Sequence, residues 1–337
     1  LQSTIYPGNL SVSHQYDDYG FCIATTAGDK KIYSLEDYEG GASATTVFVD
    51  STKIVRDVDS YGYVKSYSLS VGDKELDRMD FTFDKIRDNL LKRKRKNEWE
   101  YNFKYDELDR LVIVSHDKSS PWVRPNVPQD LSIGVIGMAQ DTVMVMTYSP
   151  DGNILSKTGV GAYTYDANIR PHAVVGVENS GGVIPTSTLN TVFNKLDRIQ
   201  TIEDVTSGLS MDFNYGPDMQ RWSSTLKSGG RDSITTVYVG NYEKITENGK
   251  TREFYYLDGG AIVVKENGVF KPYVSFSDYQ GSILSVFDHK GNNVFKAEYD
   301  AWGKQTVSTN TIGLRRGYTG HEMLPEFGII NMNGRLY

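Results

Sequence analysis

Apolar and polar residues alternate with a period of two along much of the chain. In the segment 98–105 every second residue is aromatic, and the residues between are charged or polar. Because successive side chains of a β-strand point to opposite faces of a sheet, this alternation predicts a strand with an aromatic row on one face and charges on the other. The segment 295–299 repeats the arrangement, with Lys296 and Glu298 on the polar face. The pattern therefore predicts many half-buried strands and little helix.

A short unit recurs between the predicted strands. It consists of an aromatic residue, Asp or Asn, two variable residues, and then Gly or Asp. Several copies lie about twenty residues apart, which leaves room for two strands and two turns. The Asp or Asn side chain can accept a hydrogen bond from the backbone N–H two residues further on, and Gly supplies the positive φ of a tight reversal. Each copy therefore predicts one β-hairpin. The predicted repeat-turn residues are Tyr16, Asp17, Gly20, Tyr105, Asp106, Arg110, Gly152, Tyr165, Asp166, Asp278, Gly281, Tyr299, Asp300 and Gly303.

Further hairpin turns are legible near the C-terminus. The runs 247–250 and 266–269 contain the Asn-Gly dipeptide that is typical of type I′ turns, and the run 290–293 suits a type II′ turn. Strands are expected on both sides of these turns, so that sequential strands form a meander. The predicted strands are 242–246, 251–257, 261–265, 269–275, 283–287 and 294–299.

Four motifs follow one another in the C-terminal part of the chain. A D-x-x-G-S turn lies at 278–282, a Y-x-x-x-G turn at 299–303, a Y-T-G-x-E step at 318–322 and a G-R-x-Y step at 334–337. This series resembles the C-terminal core of the Rhs/YD-repeat family, bacterial toxin-cage proteins whose animal relatives are the teneurins. The core-motif residues that the resemblance implies are Tyr318, Gly320, Glu322, Gly328, Asn333, Gly334, Arg335 and Tyr337.

The resemblance implies a fold and a role. The fold is all-β, with consecutive antiparallel β-hairpins, the YD repeats, forming a curved, spiralling sheet or partial shell. Residues 1–276 would be an irregular YD-repeat hairpin array, and residues 277–337 an Rhs-associated core segment that forms the shell end or plug. The shell would enclose and present a C-terminal toxin or effector of the same polypeptide. Many family members cut their own chain through acids downstream of the G-R-x-Y step, so no enzyme activity is expected of residues 1–337 themselves.

Composition and charge narrow the choice of partners. The 23 Tyr and 32 Gly suit short strands joined by tight turns, and the net charge of -7 argues against a nucleic-acid partner, which would require a basic face. The one basic run, 92–96, is predicted to be a solvated hairpin tip. The most apolar window, 131–148, is interrupted by Gln140 and Asp141, so no membrane-spanning segment is expected.

We expect the chain to be part of a longer bacterial protein that is secreted or held in the cell envelope. It begins at Leu1 without a signal-peptide pattern, so any signal is expected upstream of residue 1. Its single cysteine argues against a small disulfide-framed secreted domain.

The sequence shows no constellation of catalytic or metal-binding residues. The five histidines are scattered, and none has metal-ligand spacing with a second His or Cys. Cys22 lies between Phe21 and Ile23 without a basic neighbour, and is therefore interpreted as a small buried apolar residue. The carboxylates are interpreted as turn-stabilising groups. We thus predict no catalytic residue, no cofactor and no metal.

Two other classes of protein remain open. An extracellular carbohydrate-binding or adhesion module would use aromatics such as Trp222 and Trp302 to stack on a cell-surface glycan, and would place its aromatics beside turns rather than in rows along strands. A β-propeller hydrolase has four-stranded blades with a period of about forty residues. The repeat spacing of about twenty residues, enough for one hairpin, disfavours the propeller.

Overall fold

The computed structural model describes residues 2–36, 44–48, 52–116, 142–168, 170–182, 184, 189–332 and 336. Within these ranges the regular structure consists of β-strands and short 3₁₀ turns, without an α-helix. Consecutive strands pair in antiparallel fashion throughout both long ladders where the register is described. The predicted fold class, all-β with consecutive antiparallel hairpins, is confirmed.

The first ladder contains fifteen strands in sequence order. Their bounds are β1 Ser3–Tyr6, β2 Leu10–Tyr16, β3 Cys22–Ala27, β4 Lys30–Glu36, β5 Ala44–Phe48, β6 Thr52–Val58, β7 Val64–Val71, β8 Lys74–Phe83, β9 Leu90–Arg95, β10 Trp99–Tyr105, β11 Leu111–His116, β12 Thr142–Tyr148, β13 Ile154–Lys157, β14 Gly161–Asp166 and β15 Arg170–Val177.

The second ladder contains twelve strands, again in sequence order, and a two-stranded hairpin follows it. The six strands predicted between residues 242 and 299 form here, with ends that differ from the prediction by no more than two residues. The bounds are β16 Leu189–Phe193, β17 Ile199–Asp204, β18 Leu209–Tyr215, β19 Arg221–Ser228, β20 Arg231–Val239, β21 Tyr242–Glu247, β22 Lys250–Tyr256, β23 Ala261–Glu266, β24 Val269–Ser277, β25 Ile283–Asp288, β26 Asn293–Tyr299, β27 Gln305–Asn310, β28 Glu322–Leu324 and β29 Ile329–Asn331.

The aromatic row predicted on β10 is buried on one face, as the alternation requires. Trp99, Tyr101 and Phe103 are buried, whereas Lys104 is exposed. On β26 the prediction for Glu298 is wrong, because this side chain is buried as well. The neighbouring strand β25 is buried along almost its whole length, so this part of the sheet is covered on both faces.

The basic run 92–96 is not a solvated hairpin tip. Most of it belongs to β9, and Arg93 and Arg95 are buried. Arg95 Nη2 donates to Asp77 Oδ2 at 2.5 Å, and the Arg93 guanidinium lies 4.6 Å from the centre of the Tyr101 ring. A buried guanidinium is tolerated when it is paired or stacked, which the adjoining strands provide here.

The chain forms two compact units. Unit one comprises Leu1–Asp57, Ser68–Leu76 and Ser187–Tyr337, and unit two comprises Val58–Tyr67 and Asp77–Thr186. The division of the chain into a repeat array and a core segment at residue 277 rests on sequence motifs and stays a prediction. Among the described residues no helix is both long and apolar enough to cross a membrane.

N-terminal and C-terminal strands meet inside unit one. The Tyr255 hydroxyl donates to the Pro7 carbonyl at 3.0 Å, and Lys265 Nζ donates to the Gly8 carbonyl at 2.9 Å. The rings of Tyr6 and Tyr255 meet edge to face with centroids 5.8 Å apart. The first hairpin of the chain is therefore docked on β22 and β23.

Candidate functional site: repeat turns and a polar cavity beside the core segment

Asp17 shows how the recurring unit folds. Its Oδ1 accepts hydrogen bonds from the backbone N–H groups of Tyr19 at 3.0 Å and Phe21 at 2.8 Å. The Gly20 N–H donates to the Asp17 carbonyl at 3.1 Å, and Gly20 has φ 85°. One carboxylate thus binds two amides that the turn leaves without backbone partners, and glycine adopts the left-handed conformation without steric cost.

The same geometry recurs at six further turns that begin with Asp or Asn. The initiating side-chain oxygen accepts from the second and the fourth following N–H at Asp59, Asp106, Asn194, Asp278, Asp288 and Asp300. Glycine occupies the fourth position with positive φ at Gly152, Gly281 and Gly303. Arg110 adds an ion pair to its own turn, from Nε to Asp106 Oδ2 at 2.6 Å. At Asp166 the side chain accepts from the second following N–H, that of Asn168, at 2.9 Å.

The prediction of a type II′ turn at 290–293 is wrong. The reversal begins two residues earlier, since the Gly291 N–H donates to the Asp288 carbonyl at 3.0 Å. Asp288 Oδ1 accepts from the Asn292 N–H at 2.8 Å and holds the loop in the repeat-turn geometry. The carboxylate, rather than the Gly-Asn dipeptide, therefore determines the turn.

A tyrosine before each of five turns binds the preceding repeat. The Tyr299 hydroxyl donates to the carbonyl of Ile283, the first residue after the Asp278 turn, at 2.8 Å. We name this bond the tyrosine clasp. The remaining clasps join Tyr105 to Leu90, Tyr148 to Leu111, Tyr165 to Ile154 and Tyr215 to Ile199.

The clasp explains why the aromatic residue is so often tyrosine. Its hydroxyl binds the residue that follows one turn to the residue that precedes the next, and so supports the register between two neighbouring strands of the ladder. Sequence reasoning identified the Asp and missed this bond. The recurrence of tyrosine before the turns was the available signal. Phe193 and Phe287 stand in equivalent positions and, without a hydroxyl, cannot form the bond. Tyr16, the first aromatic of the series, is more than one third exposed.

Three predicted turns converge in the C-terminal part of unit one. The Ile283 N–H donates to the Gly317 carbonyl at 3.0 Å, and the Thr319 N–H donates to Ser282 Oγ at 3.2 Å, which joins the Asp278 turn to the Tyr318–Gly320 turn. The Tyr318 ring lies against Gly303, where a β-carbon would come within 2.8 Å of it. Glycine at this position is therefore required for close approach as well as for its φ of 88°.

The strands β28 and β29 form a hairpin that packs on the same unit. Leu324 and Phe327 are buried in a cluster with Ile202, Phe213 and Leu226 from β17, β18 and β19. Gly328 closes the hairpin turn with φ 66°. Asn333, Gly334, Arg335 and Tyr337 of the predicted core motif lie outside the described residues.

A polar cavity of about 960 Å³ lies beside this core segment. Strands β19, β20 and β21 provide one side of its lining, and the residues 316–322 and Asn331 provide the other. Glu322 and Gly320 of the predicted core motif are thus brought to the cavity wall, together with Trp222, whose side chain is about half exposed. The sequence predicted Glu322 but neither the cavity nor the side-chain pairs that line it, because the paired residues lie far apart along the chain.

Glu243 is the most deeply buried acid in this wall. Arg316 Nε donates to its Oε1 at 2.8 Å, and the Tyr256 hydroxyl donates to its Oε2 at 2.9 Å. The Arg316 guanidinium also lies 4.0 Å from the centre of the Tyr256 ring. Burial raises the pKa of Glu243 above its ordinary value, although the Arg316 charge opposes the shift.

Glu322 occupies the adjoining part of the network. Its Oε1 accepts from the Tyr238 hydroxyl at 2.7 Å, and its Oε2 accepts from Asn331 Nδ2 at 2.7 Å. Burial, together with the nearby Glu322 charge, raises the pKa of Tyr238 well above its usual range. Arg315 forms a two-point ion pair with Glu326, at 2.9 and 2.7 Å. Glu322 and Arg316 therefore bind the core segment to β20 and β21, whereas the Arg315–Glu326 pair lies within the segment.

Comparison with known proteins agrees with this architecture. No family model matches the chain. The tRNA nuclease WapA of Bacillus subtilis strain 168 is 25% identical over 215 residues, which cover 52% of this chain and 9% of WapA.

Solved structures match more of the chain. The crystal structure of TcdB2–TccC3 without its hypervariable C-terminal region covers 100% of this chain at 13% identity with a TM-score of 0.77, and the match spans 19% of that chain. The Tc holotoxin pore of Photorhabdus luminescens, with the TccC3 mutation D651A, covers 98% at 12% identity with a TM-score of 0.60, over 20% of that chain. This chain thus shares its all-β fold with a segment of TcdB2–TccC3, and its sequence is similar to a small part of WapA.

Proposed function

We propose that this chain is a structural β-shell segment of an Rhs/YD-repeat protein, and that it encloses and presents a C-terminal toxin or effector of the same polypeptide. The observation that carries the proposal is the strand order. In both long ladders every strand is hydrogen-bonded to its sequence neighbours. A continuous ladder leaves few free edges and lets one sheet grow by adding hairpins. Containment, rather than catalysis by these residues, is the proposed mechanism.

The tyrosine clasps support this role. A shell must keep its register over many hairpins, because a slip of one residue would exchange the two faces of the sheet. The clasps from Tyr105, Tyr148 and Tyr165 link successive repeats in unit two, and those from Tyr215 and Tyr299 do so in unit one. Each clasp adds a side-chain hydrogen bond to the backbone hydrogen bonds that join two neighbouring strands.

Contacts made by residues 277–337 support the proposal that this core segment forms the shell end or plug. Its hairpin β28–β29 buries Leu324 and Phe327 against three repeat strands, and its Arg316 pairs with Glu243 of β21. The part of the segment that follows β27 lies outside the twelve-stranded ladder, and apolar packing and a buried ion pair anchor this part to the ladder, as an end or plug of a sheet requires. The fold likeness to TcdB2–TccC3 and the sequence likeness to WapA, a tRNA nuclease, are consistent with a toxin carrier.

The test is protection of the C-terminal region from protease. The full-length gene product is tagged at its C-terminus and digested, in parallel with the region beyond residue 337 produced alone. We expect the enclosed region to survive digestion and the isolated region to be cleaved. Phe327→Ser removes a buried ring of the core hairpin and should make the enclosed region sensitive to protease. Phe193→Ser, at a position that is 54% exposed, should leave the enclosed region protected. Equal cleavage of enclosed and isolated regions would refute enclosure.

A carbohydrate-binding module is the second candidate, because Trp222 is 53% exposed and lines the polar cavity. Such a ring can stack on a sugar while the neighbouring polar groups bind its hydroxyls. The buried aromatic row of β10 favours the shell instead. A glycan array screened with the wild-type protein and with Trp222→Ala separates the two, since saccharide-specific binding that is lost in the variant would establish the binding module.

A further inference from the structure

The fold brings His14, Cys22 and Asp258 together in unit one. His14 lies on β2 and Cys22 begins β3, and the Asp17 turn with its β-bulge places both on one face of the hairpin. Asp258 begins the 3₁₀ turn between β22 and β23. It reaches this face because the N-terminal hairpin is docked on those strands.

The three side chains offer ligand atoms at distances that suit one metal ion. His14 Nδ1 lies 2.9 Å from Asp258 Oδ2, and Cys22 Sγ lies 3.7 Å from Asp258 Oδ2 and 4.0 Å from His14 Nδ1. Around a tetrahedral Zn²⁺, bonds of about 2.1 Å to N or O and about 2.3 Å to S place neighbouring ligands roughly 3.4–3.6 Å apart. Shifts of about half an ångström would thus bring all three atoms to the corners of one tetrahedron.

The surroundings resemble those of a metal site in two respects. Thr25 Oγ1 donates to Asp258 Oδ2 at 2.9 Å and lies 3.3 Å from His14 Nδ1, so it can orient the carboxylate as an outer-shell partner does. The side chain of His14 is 13% exposed, whereas that of Asp258 is 45% exposed. The imidazole is therefore held in place, while an ion can enter from the carboxylate side.

We propose that His14, Cys22 and Asp258 bind one divalent metal ion of the zinc class, with water as the fourth ligand. Thiolate, imidazole and carboxylate together are a ligand set that Zn²⁺ accepts and that Ca²⁺ and Mg²⁺ do not favour. On binding, the Cys22 thiol loses its proton to solvent, and the thiolate and the carboxylate balance the two positive charges of the ion.

The site would close the chain on itself. Cys22 and Asp258 are separated by 236 residues, so the metal ion cross-links the first hairpin of unit one to a turn in its C-terminal half. Such a link stabilises the docked arrangement by reducing the freedom of the undocked chain. The bonds of Tyr255 and Lys265 to the N-terminal backbone already hold the two parts together, so the ligands are brought close before the ion arrives.

Co²⁺ is the probe of choice, because a cobalt–thiolate bond gives an intense charge-transfer absorption that Cys22 alone can supply in this chain. The metal-free full chain is titrated with Co²⁺ and then with Zn²⁺. We expect one equivalent to bind with the thiolate band, and Zn²⁺ to displace it. Cys22→Ser should abolish the band, and His14→Gln and Asp258→Asn should weaken binding at least about tenfold.

Matched controls are His172→Gln and Asp29→Asn, which remove an exposed imidazole and an exposed carboxylate elsewhere and should leave the titration unchanged. Zn²⁺ should also raise the thermal unfolding midpoint of the wild type by several degrees, and not that of Cys22→Ser. Co²⁺ binding without the thiolate band, or a Zn²⁺ shift that persists in Cys22→Ser, would overturn the proposal. Alkylation of Cys22 at the same rate with and without Zn²⁺ would overturn it too, and would point to a free reactive thiol.

Discussion

The repeat turns and the core segment use carboxylates in opposite ways. In a repeat turn, an Asp such as Asp106 binds amides of its own five-residue loop and stays near water. In the network that joins the core segment to β20 and β21, Glu243 and Glu322 are buried and bind side chains that come from distant parts of the chain. The turn is thus a local device that can be copied many times, whereas the core network holds together only when the whole of unit one has folded.

The pKa values show the same contrast. At Asp106 partial burial acts to raise the pKa, but hydrogen bonds from the Arg110 and Leu108 amides and from the Arg110 side chain bring it below the ordinary value. At Glu243 burial prevails, and the pKa is raised despite the Arg316 partner. Removing the partner of Glu243 should therefore leave an uncompensated buried charge, which costs more than breaking a partly exposed pair such as that of Asp106 and Arg110.

Removing Arg316 should produce the largest effect. Arg316→Met leaves the Glu243 carboxylate buried at 3% exposure without its cation, and breaking a buried pair in this way typically costs about 3–5 kcal/mol. Urea unfolding of the full chain measures the loss. Arg231→Met, at an exposed position, is the control and should change little. The double variant Arg316→Met with Glu243→Gln should recover part of the loss, because no charge is then left unpaired; no recovery would contradict the assignment.

Breaking a tyrosine clasp should have an intermediate effect. Tyr299→Phe leaves the Ile283 carbonyl without its hydroxyl donor in a buried place, and an unsatisfied buried acceptor costs about 1–3 kcal/mol. Tyr165→Phe, whose clasp is only partly buried, should cost less. Tyr19→Phe is the control, since the Tyr19 side chain is 88% exposed. Equal unfolding free energies for Tyr299→Phe and Tyr19→Phe would show that the clasp does not stabilise the fold.

The repeat turns and the buried charge network also show which features could be predicted from the sequence alone. The hairpin array and the Asp turns were predictable, because a carboxylate that binds amides two and four residues away leaves a local signature. The strand β9 was misinterpreted, because the burial of Arg93 and Arg95 depends on Asp77 and on the aromatic row of β10. Charge in a sequence window indicates exposure only when no partner is brought to it by the fold.

The cavity network and the metal-ligand cluster were beyond sequence reasoning for the same reason. Arg316 lies 73 residues from Glu243, and Asp258 lies 236 residues from Cys22. The Asp17 turn could have indicated that His14 and Cys22 face each other across one hairpin. The third member, Asp258, depends on the docking of that hairpin on β22 and β23, which no spacing rule gives.

The pH dependence of stability should separate the two kinds of carboxylate. Because the pKa of Glu243 is raised in the folded state, its contribution increases the unfolding free energy as pH falls from neutral through the folded pKa toward the ordinary value of 4.5. Because the pKa of Asp106 is lowered, its contribution is complete above the ordinary value of 3.8 and is lost as pH falls through the folded pKa.

Urea unfolding of the variants between about pH 3 and pH 7 tests the direction in which each carboxylate changes the unfolding free energy with pH. Glu243→Gln should remove the increase in unfolding free energy that the wild type shows as pH falls below neutral. Asp106→Asn should reduce the decrease in unfolding free energy that the wild type shows at about pH 3. Glu247→Gln, at an exposed position, is the control for the first variant. The slope of the free energy with pH is compared, rather than its level, since Glu243→Gln also weakens the Arg316 pair. Identical slopes for Glu243→Gln and the wild type would contradict the raised pKa.

The smallest effect should come from correcting a turn that lacks its glycine. Met219 has φ 59°, in the fourth position of the Gly216 turn, where its N–H donates to the Gly216 carbonyl at 3.0 Å. A left-handed non-glycine residue costs about 1–2 kcal/mol, and the greater chain entropy of glycine in the unfolded state offsets about half of the gain, so Met219→Gly should stabilise by roughly 0.5–1 kcal/mol. Lys195→Gly, at the second position of the Asn194 turn, should instead destabilise, because no positive φ is relieved there. If both variants lost stability equally, the fourth position would not be the strained element of the repeat turn.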